Sequence, residues 1–75
     1  MYVVSISVDN RIEDACNVQE VLTKYGKNIN ARLGIQNPKG DNTGIILVIY
    51  TEENIDEFVE ELNSIKNVIA NYMEA

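Results

Sequence analysis

Residues Gly44 to Tyr50 read Gly-Ile-Ile-Leu-Val-Ile-Tyr, an unbroken run of apolar and mostly β-branched or aromatic side chains. Turn residues Gly40, Asp41, Asn42 and Thr43 precede it, and a helix-start signal, Thr51-Glu52-Glu53, follows it. Its length and its β-branching predict a strand. A strand with one wet face alternates apolar and polar residues, and this one has no polar face. It needs cover on both sides and a central place in its sheet.

The flanking segments supply the other elements. Tyr2 to Val8 alternates Val4, Ile6 and Val8 with Ser5 and Ser7, a strand with one apolar face. Asp9 or Asn10 can cap a helix over Arg11 to Tyr25, where Ala15, Val18, Leu22 and Tyr25 recur at helical spacing and Val21 widens the stripe. Gly26 stands where a left-handed residue closes a helix. Asn28 to Ile35 alternates again, with Ile29, Ala31, Leu33 and Ile35 on one side. Gln36 to Thr43 has the composition of a hairpin loop. A second helix is predicted from a Thr51 cap to Asn63 and Ser64, with Ile55, Phe58, Val59 and Leu62 at i, i+3, i+4 and i+7. Val68 to Met73 forms the last strand. The order strand, helix, strand, strand, helix, strand, with right-handed crossovers, gives an α+β ferredoxin-like βαββαβ sandwich. Its antiparallel sheet has strand order 4-1-3-2, with both helices on one face, and residues 1–75 make a single domain. Strands one and three are central, so the apolar run falls where its composition requires.

A chain of 75 residues buries only roughly 60% of the surface its unfolded form exposes, and needs a further source of stability. The single cysteine, Cys16, excludes an internal disulfide, and the absence of histidine excludes the usual zinc sites. Self-association remains. Twelve acidic residues against six basic ones give a formal charge of −6, which repels phosphate backbones and argues against direct nucleic-acid binding. No apolar run reaches the roughly 18–20 residues that span a bilayer. Met1-Tyr2-Val3-Val4 is no secretory signal, and a lone thiol fits a reducing cytoplasm.

Two helices on four strands leave one sheet face without cover. If the apolar sides of the first two strands face the helices, Val3, Ser5, Ser7, Asn28, Asn30, Arg32 and Gly34 point to the open side. The third strand adds either Ile45, Leu47 and Ile49 or Ile46, Val48 and Tyr50. Either set leaves large apolar groups exposed at the sheet centre, the mark of a contact surface. The candidate ligand or interface residues are thus Ser5, Ser7, Asn30, Arg32 and Gly34, with Ile46, Val48 and Tyr50. A homo-oligomer, dimeric or higher, through the open face or the sheet edges is expected.

Arg32 is the only basic group in the second strand, and its planar fork suits a carboxylate or phosphate. The plainer alternative is an edge charge that discourages aggregation. Cys16 lies away from the apolar stripe and beside acidic Glu13, Asp14 and Glu20, as an ordinary exposed thiol would. The second helix carries Glu52, Glu53, Asp56, Glu57, Glu60 and Glu61, which serves solubility or a basic protein partner. Carboxylates on one exposed helix face do not enclose a cation, so no metal site is expected. No nucleophile has a base in a recognisable arrangement and no Gly-rich phosphate loop follows a strand, so neither catalysis nor a cofactor is expected.

The element order, the Tyr25-Gly26 helix end, the Ala31-Arg32-Leu33-Gly34-Ile35 strand and the Gly44–Tyr50 run together resemble the putative iron-only hydrogenase system regulator family. These are small, stand-alone ACT-like domains, similar to the C-terminal half of the nickel-responsive regulator. The resemblance implies a non-enzymatic regulatory role, oligomers built through the sheets, and a small ligand sensed at a subunit interface. The nickel-binding histidines of that regulator have no counterparts here, so nickel sensing is not implied. The alternative is a pure interaction or oligomerisation module without a ligand.

Overall fold

The computed structural model describes residues 1–9, 11–36 and 43–75, with side chains throughout except at 11–13 and 36. The chain runs through strand β1 (Tyr2–Val8), helix α1 (Arg11–Lys24), a 3-10 turn (Gly26–Asn28), β2 (Ile29–Gln36), β3 (Gly44–Tyr50), α2 (Ile55–Asn63) and β4 (Val68–Glu74). A cap at Asn10 and most of the expected hairpin loop, Gln36 to Thr43, lie outside the described residues. The strands form one sheet in the order β2-β3-β1-β4, every neighbouring pair antiparallel. This is the ferredoxin-like βαββαβ fold. The run Gly44–Tyr50 sits inside the sheet, in unbroken register with β1 from Tyr2↔Tyr50 to Val8↔Gly44.

One face of the sheet and the two helices share a single core. Val4, Ile6 and Val8 of β1, Val48 and Tyr50 of β3, and Val68 and Ala70 of β4 are buried against Val18 and Leu22 of α1 and Ile55, Phe58, Val59 and Leu62 of α2. Its centre is aromatic. Tyr50 and Phe58 stack at 4.6 Å between ring centroids, and Tyr25 meets Phe58 edge-on at 5.1 Å. Such pairs add about 0.5–1.5 kcal/mol beyond the area they bury. The Asn63 side chain holds α2 to β4 by donating to the Ala70 carbonyl and accepting from the Ala70 N–H. The turn into β4 passes through Asn67, whose φ of 65° lies in the left-handed region that Asn tolerates.

Three local expectations are corrected. Gly26 does not take a left-handed conformation; it opens the 3-10 turn, in which the Asn28 N–H donates to the Tyr25 carbonyl. Helix α2 starts at Ile55 rather than after a Thr51 cap. The Thr51 hydroxyl and N–H both donate to the Asn28 carbonyl, which ties the end of β3 to the start of β2 and leaves Thr51 no part in capping. Glu52 and Glu53 therefore precede the helix, and the acidic helical neighbours are 56/60, 57/60 and 57/61. On α1 the inward stripe is Asp14, Val18 and Leu22, continued by Tyr25 just past its end, while Ala15 is exposed.

Candidate functional site

The register fixes what the uncovered face presents. Residues directly opposite across a ladder share a face, and the three pairings align four-residue rows over the whole sheet. Met73, Val3, Ile49 and Ala31 form one row, Asn71, Ser5, Leu47 and Leu33 the next, and Ile69, Ser7, Ile45 and Ile35 the third. No charged residue occurs among these positions. Ile69 and Met73 keep 63% and 64% of their surface exposed, and Leu33 keeps 59%, values normal for charged side chains rather than for these. The β1 column is mostly small, with Ser5 and Ser7. The β3 column beside it is a ridge of Ile45, Leu47 and Ile49.

This settles the parity of β3 and corrects part of the expected site. Ile46, Val48 and Tyr50 point at the helices; Val48 and Tyr50 are fully buried and Ile46 packs on the core. They do not line the open face. Ile45, Leu47 and Ile49 do. Ser5 and Ser7 lie on the open side as expected.

Strand β2 is reversed from expectation over most of its length. Ile29 pairs with Tyr50 and Ala31 already with Ile49, so two steps on β2 match one on β3. Asn30 is the extra residue of this bulge, and a bulge hands every later side chain to the opposite face. Ile29 packs on the core, but Ala31, Leu33 and Ile35 turn to the open face. Arg32 and Gly34, opposite Val48 and Ile46, turn to the helix side. Arg32 thus leaves the predicted open-face set. Its Nη2 donates to Oε1 of Gln19 on α1 at 3.0 Å.

Arg32 and Gly34 stand where the helix layer thins out. Helix α2 rests on β4 and β1, and α1 on β1. The gap between α1 and the β2 edge is a cleft of about 290 Å³, lined by Val8, Ala15, Val18, Gln19, Arg32, Gly34, Ile35, Gly44, Ile45 and Ile46. Among the described residues nothing approaches within 4 Å of where a Cβ on Gly34 would sit.

Charge elsewhere is organised along the helix seam. Lys24 Nζ donates to Glu61 Oε1 at 2.6 Å across α1 and α2, and that hydrogen bond, with the carboxylate's charge, raises the lysine above its ordinary pKa. Burial, then the charges of Glu61 and Glu57, push the Tyr25 phenol up. Tyr72 donates to Asp56 at 2.5 Å, and that bond raises its pKa. Asp14 is a residue that sequence periodicity misses. It is buried on the inner face of α1, its Oδ2 without a hydrogen-bond partner among the described residues. Cys16 is exposed. Among the described residues, no group of three or more Cys, Asp or Glu side chains is arranged to hold a metal ion, and no helix is long and apolar enough to cross a membrane.

The chain was compared with known families and structures. A family model described as "TM1266-like: Iron-only hydrogenase system regulator, putative" matches residues 1–71. The structure of TM1266 from Thermotoga maritima, a protein described as uncharacterized, superposes with a TM-score of 0.85 at 24% identity, over 96% of this chain and 91% of that one. A formyltetrahydrofolate deformylase from Pseudomonas putida KT2440 superposes with a TM-score of 0.64 at 6% identity, over 99% of this chain but 28% of that longer one. At these identities both likenesses are of fold. No curated protein matches the chain in sequence.

Proposed function

Since the chain belongs to the putative iron-only hydrogenase system regulator family, we propose that it is a non-catalytic regulatory domain that works as a homo-oligomer and responds to a small ligand. The observation that carries the oligomer is the uncharged open face of β2, β3, β1 and β4. Apolar area of this kind is stabilised by removal from water. Its occupant is a second copy of the chain, because the face is complementary to itself. The Ile45, Leu47 and Ile49 ridge of one copy matches the shallow Ser5 and Ser7 column of another in a two-fold stack of sheets about 10 Å apart. The absence of charge on the face also gives a charged partner nothing to pair with.

The non-catalytic reading is supported by the family's description and by a sequence without histidine. Light scattering on size-separated protein tests the proposal: a dimer or larger species at micromolar concentration is expected. A monomer up to about 1 mM, where an association would be worth less than about 4 kcal/mol, refutes it.

A further inference from the structure

We infer that the cleft between α1 and the β2 edge binds a small, unaminated organic carboxylate, with Arg32 as its anchor. The proposal rests on the regulatory reading above for its purpose, and on the cleft alone for its chemistry. Three observations carry it. Among the described residues Arg32 has no carboxylate partner: its guanidinium bonds the neutral Gln19 amide, in a protein with twice as many acidic as basic residues. A guanidinium has five N–H donors in a fixed fork; Gln19 orients that fork, and Arg32 is exposed, with no other bond among the described residues. The floor beside it is apolar, supplied by Val8, Val18 and Ile46. Finally, no described residue occupies the space above Gly34, where a side chain on the strand would stand.

The lining selects the class. A volume of about 290 Å³ equals roughly ten water molecules at about 30 Å³ each, room for a short carbon chain bearing a carboxylate. One cation beside an apolar floor suits a monoanion with an apolar body, and a phosphate would leave its remaining oxygens against Val and Ile. Among the described residues no acidic side chain lines the cleft to receive an ammonium group, which disfavours a free amino acid. Because Arg32 and Gly34 alternate along β2 with Leu33 and Ile35, and Ile35 borders the cleft as well as the open face, one strand joins the cleft to the association surface. A ligand that shifts β2 acts directly on that surface.

The test is an amide NMR titration of isotope-labelled protein with 4-methyl-2-oxopentanoate, with leucine and inorganic phosphate as comparison arms. Saturable shifts at Ala15, Gly34 and Ile46 are expected with a dissociation constant at or below about 1 mM. Arg32→Gln should weaken binding by roughly tenfold or more, as loss of a charged hydrogen bond does. Gly34→Leu should abolish it by filling the cleft, with the folded spectrum retained. If Gly34→Leu does not fold, Ala15→Leu fills the cleft from the helix side with a good helix former. Absence of saturation in the unsubstituted protein overturns the inference. So does unchanged binding in Arg32→Gln or in the folded cleft-filling variant, and so does tighter binding of leucine or phosphate. Light scattering on the same samples reads oligomeric state separately, so failure of self-association and failure of the ligand site are told apart.

Discussion

Leu47→Glu separates a sheet that is merely exposed from one that associates. Leu47 lies in the middle row of the open face, between Ser5 and Leu33. With strands about 4.8 Å apart and about 3.3 Å per residue, the three rows cover roughly 19 by 20 Å, or about 400 Å² per copy. Nine of its twelve positions are apolar, so about 300 Å² of apolar area is buried on each copy, and at about 25 cal/mol per Å² the two contribute about 15 kcal/mol before costs. Lost translational and rotational freedom takes back about 4–15 kcal/mol. The remainder brackets the roughly 8 kcal/mol of a micromolar dimer. A two-fold axis places one substituted carboxylate in the interface from each copy, and each costs several kcal/mol to bury unpaired. Within one protomer the same change alters strand preference by only about 1 kcal/mol. The expected result is a monomer of unchanged circular dichroism, whose melting temperature no longer depends on concentration as that of the unsubstituted protein does. An associated Leu47→Glu protein, or an unsubstituted protein whose melting ignores concentration, would refute the packing argument.

Other perturbations probe the core and its charges. Tyr50→Phe removes a hydroxyl that donates to Asn54 Oδ1 at 2.7 Å and accepts from Asn28 at 3.3 Å; urea unfolding should show a loss of about 0.5–1.5 kcal/mol, and no loss would mean that these bonds do not hold the β3–α2 junction. Asp14→Leu replaces a buried carboxylate with one oxygen that has no partner among the described residues, so stability should rise by about 1–3 kcal/mol; a fall in the denaturation midpoint would show that the carboxylate serves the N-terminal turn of α1. Lys24, Tyr25 and Tyr72 all have pKa values raised above ordinary values of 10.5, 10.0 and 10.0. The folded state therefore holds protons that the unfolded state releases first. Their stabilisation is complete below about pH 10 and is lost as pH rises through the raised values, so thermal melting should be flat up to that point and fall beyond it; a rise would contradict the assigned directions.

Hydrophobic periodicity is local, and what it governs was legible in the sequence. Ile55, Phe58, Val59 and Leu62 are the buried residues of α2, as their spacing predicts. The start of that helix was not legible, because Thr51 is engaged by the Asn28 carbonyl, which only the folded chain brings to it. Asp14 replaced Ala15 in the core-facing stripe of α1 because the two are neighbours on the helix, and only the angle at which α1 packs decides between them. At the cleft, the sequence pointed to Arg32 and Gly34 but placed them on the wrong face.

The run Gly44–Tyr50 by itself determined that its strand is central and that both its faces are apolar. Which face lies under the helices was a tertiary decision. Apolar residues on both sides of a strand carry no sign of direction, and the core chose Val48 and Tyr50 by packing them against Phe58 and the helices. The bulge at Asn30 then reversed β2, because one unpaired residue moves every later side chain across the sheet. That step sent Leu33 and Ile35 to the open face and Arg32 to the cleft. The sequence determined that the chain has an apolar face to cover; the bulge decided which residues make it.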